Sequence, residues 1–258
     1  MTQSIQLNLS RLCEEMHQAG YSDYMISRAV EIVNELQQRG VQGLGKFVGK
    51  LSKRLGNKEE YLDILKEGRF ARTLARNRFK QIEIEHTKKG PDVKASYNRR
   101  TVYFEITRKR ENEEDDAIHQ SKDGVGWISP YRLENILSTI QGKRGQLKDG
   151  ELNIVVLWSD TISLNEREFE EATRCIQQEI DATQQIYNRR MSGILFTTGG
   201  VSYSYGTPKQ FHLFINDKAD IKLPKHLANT LQSMTEEDPE KLRRGYEGRV
   251  AAMKRLSH

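Results

Sequence analysis

Cysteine is nearly absent from this chain of 258 residues: Cys13 and Cys175 stand far apart, with no CxxC and no paired Cys/His spacing. A disulfide framework or a structural zinc site needs clusters that are missing here, and a reducing compartment is the expected setting. Also missing is any run of about 18 apolar residues, which a membrane-spanning helix requires. The polar start "MTQSIQLNLS" carries no apolar core of the kind a signal peptide has. The cytoplasm is therefore the expected location, with no membrane partner.

What the chain does contain is charge. Residues are 36% apolar and 30% charged, and the formal charge is +5. The pI near 9.1 leans toward anionic partners. The excess is local, since residues 40 to 80 hold eleven Lys/Arg against four Asp/Glu, a net +7. A stretch of that kind is either an electrostatic footprint for a phosphate backbone or a solvated basic face. Arg69, Arg72, Arg76 and Lys80 share much of one helix side there and are the candidates for nucleic-acid contact.

Residues 1–56 read as a helical lobe, with stop signals at Gly20 and Gly40 and a short basic helix in "GKFVGKLSKRLG". A longer helix is expected over 57–78, starting near Asn57 or Lys58, with Glu59 and Glu60 in its first turn where the helix dipole favours acids. Strands follow at about 79–86, 91–97 and 101–108. The polar, acidic segment "ENEEDDAIHQSKDGVGW" reads as a loop. Ser129 and Pro130 then open a helix with an apolar stripe at Leu133, Ile136, Leu137 and Ile140. "LNIVVLW" is a short continuous apolar run, as expected of a central strand covered on both faces. A helix at 165–187 and strands at 193–197, 201–205 and 211–215 complete the domain over 57–232, with "TTGG" at 197–200 as a hairpin turn. Residues 233–258 form a charged carboxy-terminal tail.

Strand parity singles out the acids. Along "TVYFEIT", Val102, Phe104 and Ile106 point one way, and Thr101, Tyr103, Glu105 and Thr107 the other. With a turn around Asn98, Asp92–Tyr97 and Thr101–Arg108 read as an antiparallel hairpin in which Asp92 and Glu105 can end up side by side. A third acid, Glu67, shares a helix face with Ile64, Ala71 and Leu74. On an apolar stripe it requires a cation, a metal or a Lys/Arg partner nearby. The ordinary alternatives are a turn residue for Asp92 and a solvated strand face for Glu105.

The run "KEGRFARTLARNRFKQIEIEHTKKGPDV…TVYFEIT" resembles the PD-(D/E)XK, or restriction-endonuclease-like, nuclease family, in which a helix glutamate precedes a Pro-Asp strand start and a Glu-x-Lys strand. The resemblance covers roughly residues 57 to 158 and includes the order of the helix and strand that follow. It implies an α/β fold: a restriction-endonuclease-like core of mixed β-sheet flanked by helices, with an amino-terminal helical lobe. It implies that Asp92 and Glu105 bind Mg²⁺, or Mn²⁺ in its place, with the main-chain carbonyl of Ile106 as a further ligand and Glu67 in support. Hard oxygen ligands suit such an ion, which keeps several waters and bridges to substrate phosphates. The function implied is metal-dependent hydrolysis of DNA phosphodiester bonds.

One departure bears on catalysis: where the family has lysine two residues after the glutamate, this chain has Thr107. A hydroxyl can hydrogen-bond a water without supplying positive charge. Parity offers Lys94, in step with Asp92, and Lys109, in step with Glu105, as substitutes, and Lys143 on the later helix is a third candidate. The competing reading is a catalytically inactive nuclease-fold protein that binds nucleic acid. A nuclease of this type that cuts both strands needs a homodimer, and the amino-terminal helices are the surface available for one, although they carry no heptad seam.

Overall fold

The computed structural model describes residues 2–84, 90–109, 130–159, 166–183, 186–204 and 207–236. Helices α1 (Thr2–Gln18), α2 (Asp23–Gln38) and α3 (Leu44–Lys53) lead into the longer α4 (Lys58–Arg76). The Asn57 side chain accepts a hydrogen bond from Glu60 N and so caps α4, with Glu59 and Glu60 in the first turn as expected. Gly20 and Gly40, the expected helix stops, both have the left-handed backbone that ends a helix cheaply.

The sheet has six strands in sequential order: β1 (Lys80–Ile84), β2 (Val93–Tyr97), β3 (Arg100–Lys109), β4 (Asn153–Ser159), β5 (Met191–Ser204) and β6 (Thr207–Ile215). The first three form an antiparallel meander. β4 runs parallel to both β3 and β5, and β6 returns antiparallel. Helix α5 (Pro130–Lys143) and a 3-10 turn at Arg144–Gln146 precede β4, whereas α6 (Glu166–Ala182) and α7 (Ile186–Arg190) precede β5. Helix α8 (Lys225–Ser233) lies after the sheet. The result is a mixed α/β architecture.

The apolar run of β4 divides its side chains between two cores. Ile154, Val156 and Trp158 join α1 to α4 on one face, while Val155 and Leu157 join α5 and α6 on the other. This is the doubly covered strand that an uninterrupted apolar sequence predicts. The first core is continuous from Leu9 through α4 to the sheet, so residues 1–56 are built into the same hydrophobic body as the strands. Main-chain hydrogen bonds tie them further, from Gln42 N to Ile82 O and from Ile84 N to Gln42 O.

One expectation changes. Residues 191–204 form a single strand, with a register shift between Thr197 and Ser202, instead of two strands joined by a turn at "TTGG". Extra residues inserted opposite β6 are taken up as a bulge, which leaves the strand continuous. The beginning of the charged tail also docks: Asn77 Nδ2 donates to Thr235 O at 2.9 Å, and Arg69 pairs with Glu236. Ser129, the acidic loop and most of the tail lie outside the described residues. Among those described, no helix is long and apolar enough to cross a membrane.

Gly43 marks where the helices meet the sheet edge. Its φ is +82°, and a Cβ there would fall 1.9 Å from the Ile84 carbonyl oxygen. Backbone strain and collision with main chain add, so Gly43→Ala is expected to destabilise the protein by about 2 kcal/mol or more. Gly56→Ala, in open space, should stay within about 0.5 kcal/mol. Urea unfolding of the two variants checks the contrast.

Candidate active site

The β2–β3 register fixes the relation of the two central acids. Val93 pairs with Phe104, so Asp92 and Glu105 stand at the next position along the antiparallel ladder. Asp92 Oδ2 accepts a hydrogen bond from Ile106 N at 2.8 Å, which holds this carboxylate against the β3 main chain. Glu105 is fully buried, on the sheet face shared with Val155, its partner in β4. Asp92 and Glu105 are close enough for each charge to act on the other.

A buried carboxylate needs compensation, and α5 supplies it. Lys143 Nζ, at the last residue of that helix, donates to Glu105 Oε1 at 2.7 Å. Gln146, with its amide assigned from the hydrogen-bond network, donates to the same oxygen at 2.7 Å. Burial, and next the Asp92 charge, push the Glu105 carboxyl up to about 8, against the opposing pull of Lys143 and Lys50. Burial also works against the Lys143 ammonium, but Glu105, Asp92 and Glu67 outweigh it and raise its pKa. Glu105 is thus a carboxylate that gains from every cation brought to it.

Glu67 lies on α4, 6% exposed, and Lys50 of α3 donates to both its oxygens at 2.9 and 3.1 Å. The cation demanded by an acid on an apolar stripe is therefore a lysine from the amino-terminal helices. Because α4 is buried against helices on one side and strands on the other, even its charged residues must find partners inside. Lys50 also acts electrostatically on Glu105, and Glu67 on Lys143. Asp92, Glu105 and Glu67 with Lys50 and Lys143 form one linked set.

The other expected residues separate. Thr107 is half-buried, two residues beyond Glu105 on β3. Lys94 sits on β2 opposite Tyr103, and its ammonium lies 3.8 Å from Glu83 instead of at Glu105. Lys109 ends β3 opposite Ser159. Of the arginines assigned to nucleic acid, Arg72 is 2% exposed and bonds Glu31 at 3.3 Å. Arg69 bonds Glu236 at 2.6 Å, and Arg76 bonds Glu35 at 2.7 Å. Arg69 and Arg76 are thus engaged by largely covered carboxylates, and the buried Arg72 reaches the exposed Glu31, while Lys80 is exposed. Lys50 and Gln146 escaped sequence reasoning. Lys50 sits in a run of spaced basic residues that marks no single one of them, and Gln146 follows a helix end blurred by Gly142 and Gly145.

Among the described residues, no group of three or more His, Cys, Asp or Glu side chains is arranged to hold a metal. The site instead offers two adjacent carboxylates of hard oxygen. That set fits Mg²⁺, which is commonly held by one or two carboxylates and completes its shell with water and substrate phosphate. Comparisons with family models, curated proteins and solved structures find no match to this chain.

The ion pair makes a quantitative expectation. Above pH 8, where Glu105 is ionised, Lys143→Met leaves it buried without its cation and should destabilise by about 3–5 kcal/mol, with a smaller loss at lower pH where the carboxyl is protonated. Glu105→Gln should cost less, since the Lys143 side chain, 25% exposed, can carry its charge to water. The double variant Lys143→Met/Glu105→Gln should recover much of the loss in urea unfolding at pH 9. Additive single effects would show that the two groups are not coupled.

Proposed function

We propose that this protein is a Mg²⁺-dependent nuclease that hydrolyses DNA phosphodiester bonds at Asp92 and Glu105, on a core of the PD-(D/E)XK type. The observation that carries this reading is the pairing of the two carboxylates on β2 and β3 with a lysine ammonium delivered to Glu105 from α5. The helix, strand meander, helix and parallel strand around them occur in the order that the sequence resemblance implies.

The residues divide the work. Asp92 and Glu105 would hold the ion, with the Ile106 carbonyl as a further oxygen, and the Ile106 N–H bond to Asp92 keeps that carboxylate in place. When bound, Mg²⁺ lowers the pKa of a water and offsets charge on the transferring phosphoryl group. Lys143 takes the part left open by Thr107. Its ammonium reaches Glu105 across the sheet face and is the cation positioned to hold a water and to oppose negative charge developing on phosphate. Glu67, fixed by Lys50, biases the orientation and charge of Lys143 from α4. Thr107 offers a neutral hydroxyl beside this group.

A second reading has its own support. Lys143 and Gln146 already bond Glu105, so the cluster is stable as a purely structural ion pair in a protein that binds nucleic acid without cutting it. Cleavage separates the two. Plasmid and short labelled duplex, single-stranded and branched DNA, incubated with Mg²⁺, Mn²⁺ or EDTA, should be cut only with a divalent ion. Asp92→Asn should abolish cutting, and Lys143→Arg or Lys143→Met should slow it by about 10²–10³-fold. Lys94→Gln should cut like wild type. No cutting under any ion, with retarded mobility of the same DNA, would overturn the nuclease reading in favour of binding alone.

A further inference from the structure

With Arg69, Arg72 and Arg76 engaged by carboxylates, the cations available to a phosphate backbone lie elsewhere. Arg78, Lys80, Arg99 and Arg100 are all exposed, and none of them forms an ion pair with a described carboxylate. They gather at one end of the edge meander. Tyr97 and Arg100 are ladder partners that close the β2–β3 hairpin, Lys80 stands opposite Ser96 near the same end, and Arg78 leads into β1.

The backbone adds an independent observation. The hairpin turn consists of Asn98 at φ +47° and Arg99 at φ +66°, two successive left-handed residues of the type I′ kind. Asparagine suits the first position, but glycine is the cheap choice at the second. Arg78 occupies a left-handed position as well, at φ +71°, just after the Asn77 that ends α4. Glycine is the common residue there too. Each arginine is strained relative to glycine in that conformation. Two strained positions at the same end of the meander each bear an exposed guanidinium with no ion-pair partner among the described residues.

We infer that the β2–β3 hairpin tip, with Arg78 and Lys80 beside it, is the surface that grips the sugar-phosphate backbone of duplex DNA on one side of the cleavage site. This rests on the nuclease reading of Asp92 and Glu105. The strand sets the spacing: five residues separate Arg100 from Glu105 on β3, or ~17 Å. Phosphates of one strand advance ~3.4 Å per nucleotide along the duplex axis, so the tip meets phosphates about five nucleotides from the one at the carboxylates. Lys148, 4.2 Å over the Tyr103 ring, adds a further cation on the Glu105 face of β3. Guanidinium groups on a turn bind phosphate through paired donors and carry no base preference. The grip is therefore independent of sequence.

The test is binding of the full chain to a fluorescein-labelled duplex of 20 base pairs, read by anisotropy in EDTA over a range of NaCl concentrations. Arg99→Gly/Arg100→Ser removes both tip cations and relieves the strain at Arg99, so its thermal midpoint should not fall. Wild type should weaken steeply with salt. The variant should bind about 10-fold or more weaker at low salt, with a log–log salt slope smaller by about 2, near 0.9 per lost phosphate contact. Arg78→Gly/Lys80→Gln should behave likewise, and Lys53→Gln, exposed at the end of α3, should match wild type. Unchanged affinity and slope in both tip variants would overturn the inference, as would loss of binding to phosphatidylserine vesicles with DNA binding intact. Tip-dependent DNA binding by a protein that never cuts would retain the surface and sink the nuclease reading. Cutting with no tip dependence would do the reverse.

Discussion

The bond between Lys143 and the buried Glu105 is the constraint around which the rest of this protein is arranged. A carboxylate with no solvent exposure, on the strand face covered by α5, is unstable without a partner, and its partner comes from the end of α5. That requirement sets how α5 docks, and α5 in turn leads through the Arg144–Gln146 turn to β4. Arg144 fastens the same junction from the other side, with a two-bond fork to Glu179 of α6. The position of the central strand and the electrostatics of the acids thus share one set of residues.

On the opposite side α4 imposes a parallel demand. It is enclosed by helices and strands, so Glu67, Arg72 and Arg76 find partner charges on the neighbouring helices α3 and α2. Lys50 is the link between the amino-terminal helices and the acids of the sheet. Those helices therefore act on the site as well as supporting the core, since Lys50 reaches Glu105 electrostatically. The interior uses Lys50, Lys66, Arg69, Arg72 and Arg76 of the 40–80 stretch, while Lys46, Lys53, Arg54 and Lys58 stay exposed around α3 and Arg78 and Lys80 stay exposed beside the β2–β3 turn.

Much of this was legible in the sequence for local reasons. Alternation along "TVYFEIT" separated Glu105 from Phe104 and Ile106, the polar turn at Asn98 fixed the hairpin, and the uninterrupted apolar run of β4 announced two covered faces. Asn57 and the acids after it marked the start of α4. What escaped depends on contacts between distant segments. Periodicity placed Arg69, Arg72 and Arg76 on one helix side but carried no information about what covers that side. Parity favoured Lys94 as the missing cation, yet β1 places Glu83 beside it, whereas Lys143 is separated from Glu105 by 38 residues and reaches it only through the docking of α5. The continuous strand at 191–204 was hidden because a glycine pair signals a bulge and a turn equally well.

The central proposal is that Asp92 and Glu105 together hold a divalent cation, whose charge at Glu105 would displace the Lys143 ammonium from the bond it makes there. Manganese is the direct probe: crystals of the protein soaked with Mn²⁺, measured for anomalous scattering, report the ion and the neighbouring side chains together. The account predicts an anomalous peak between Asp92 and Glu105, with the Lys143 ammonium moved off Glu105. An absence of any peak there at saturating Mn²⁺, with the 2.7 Å Lys143–Glu105 bond intact, would contradict it.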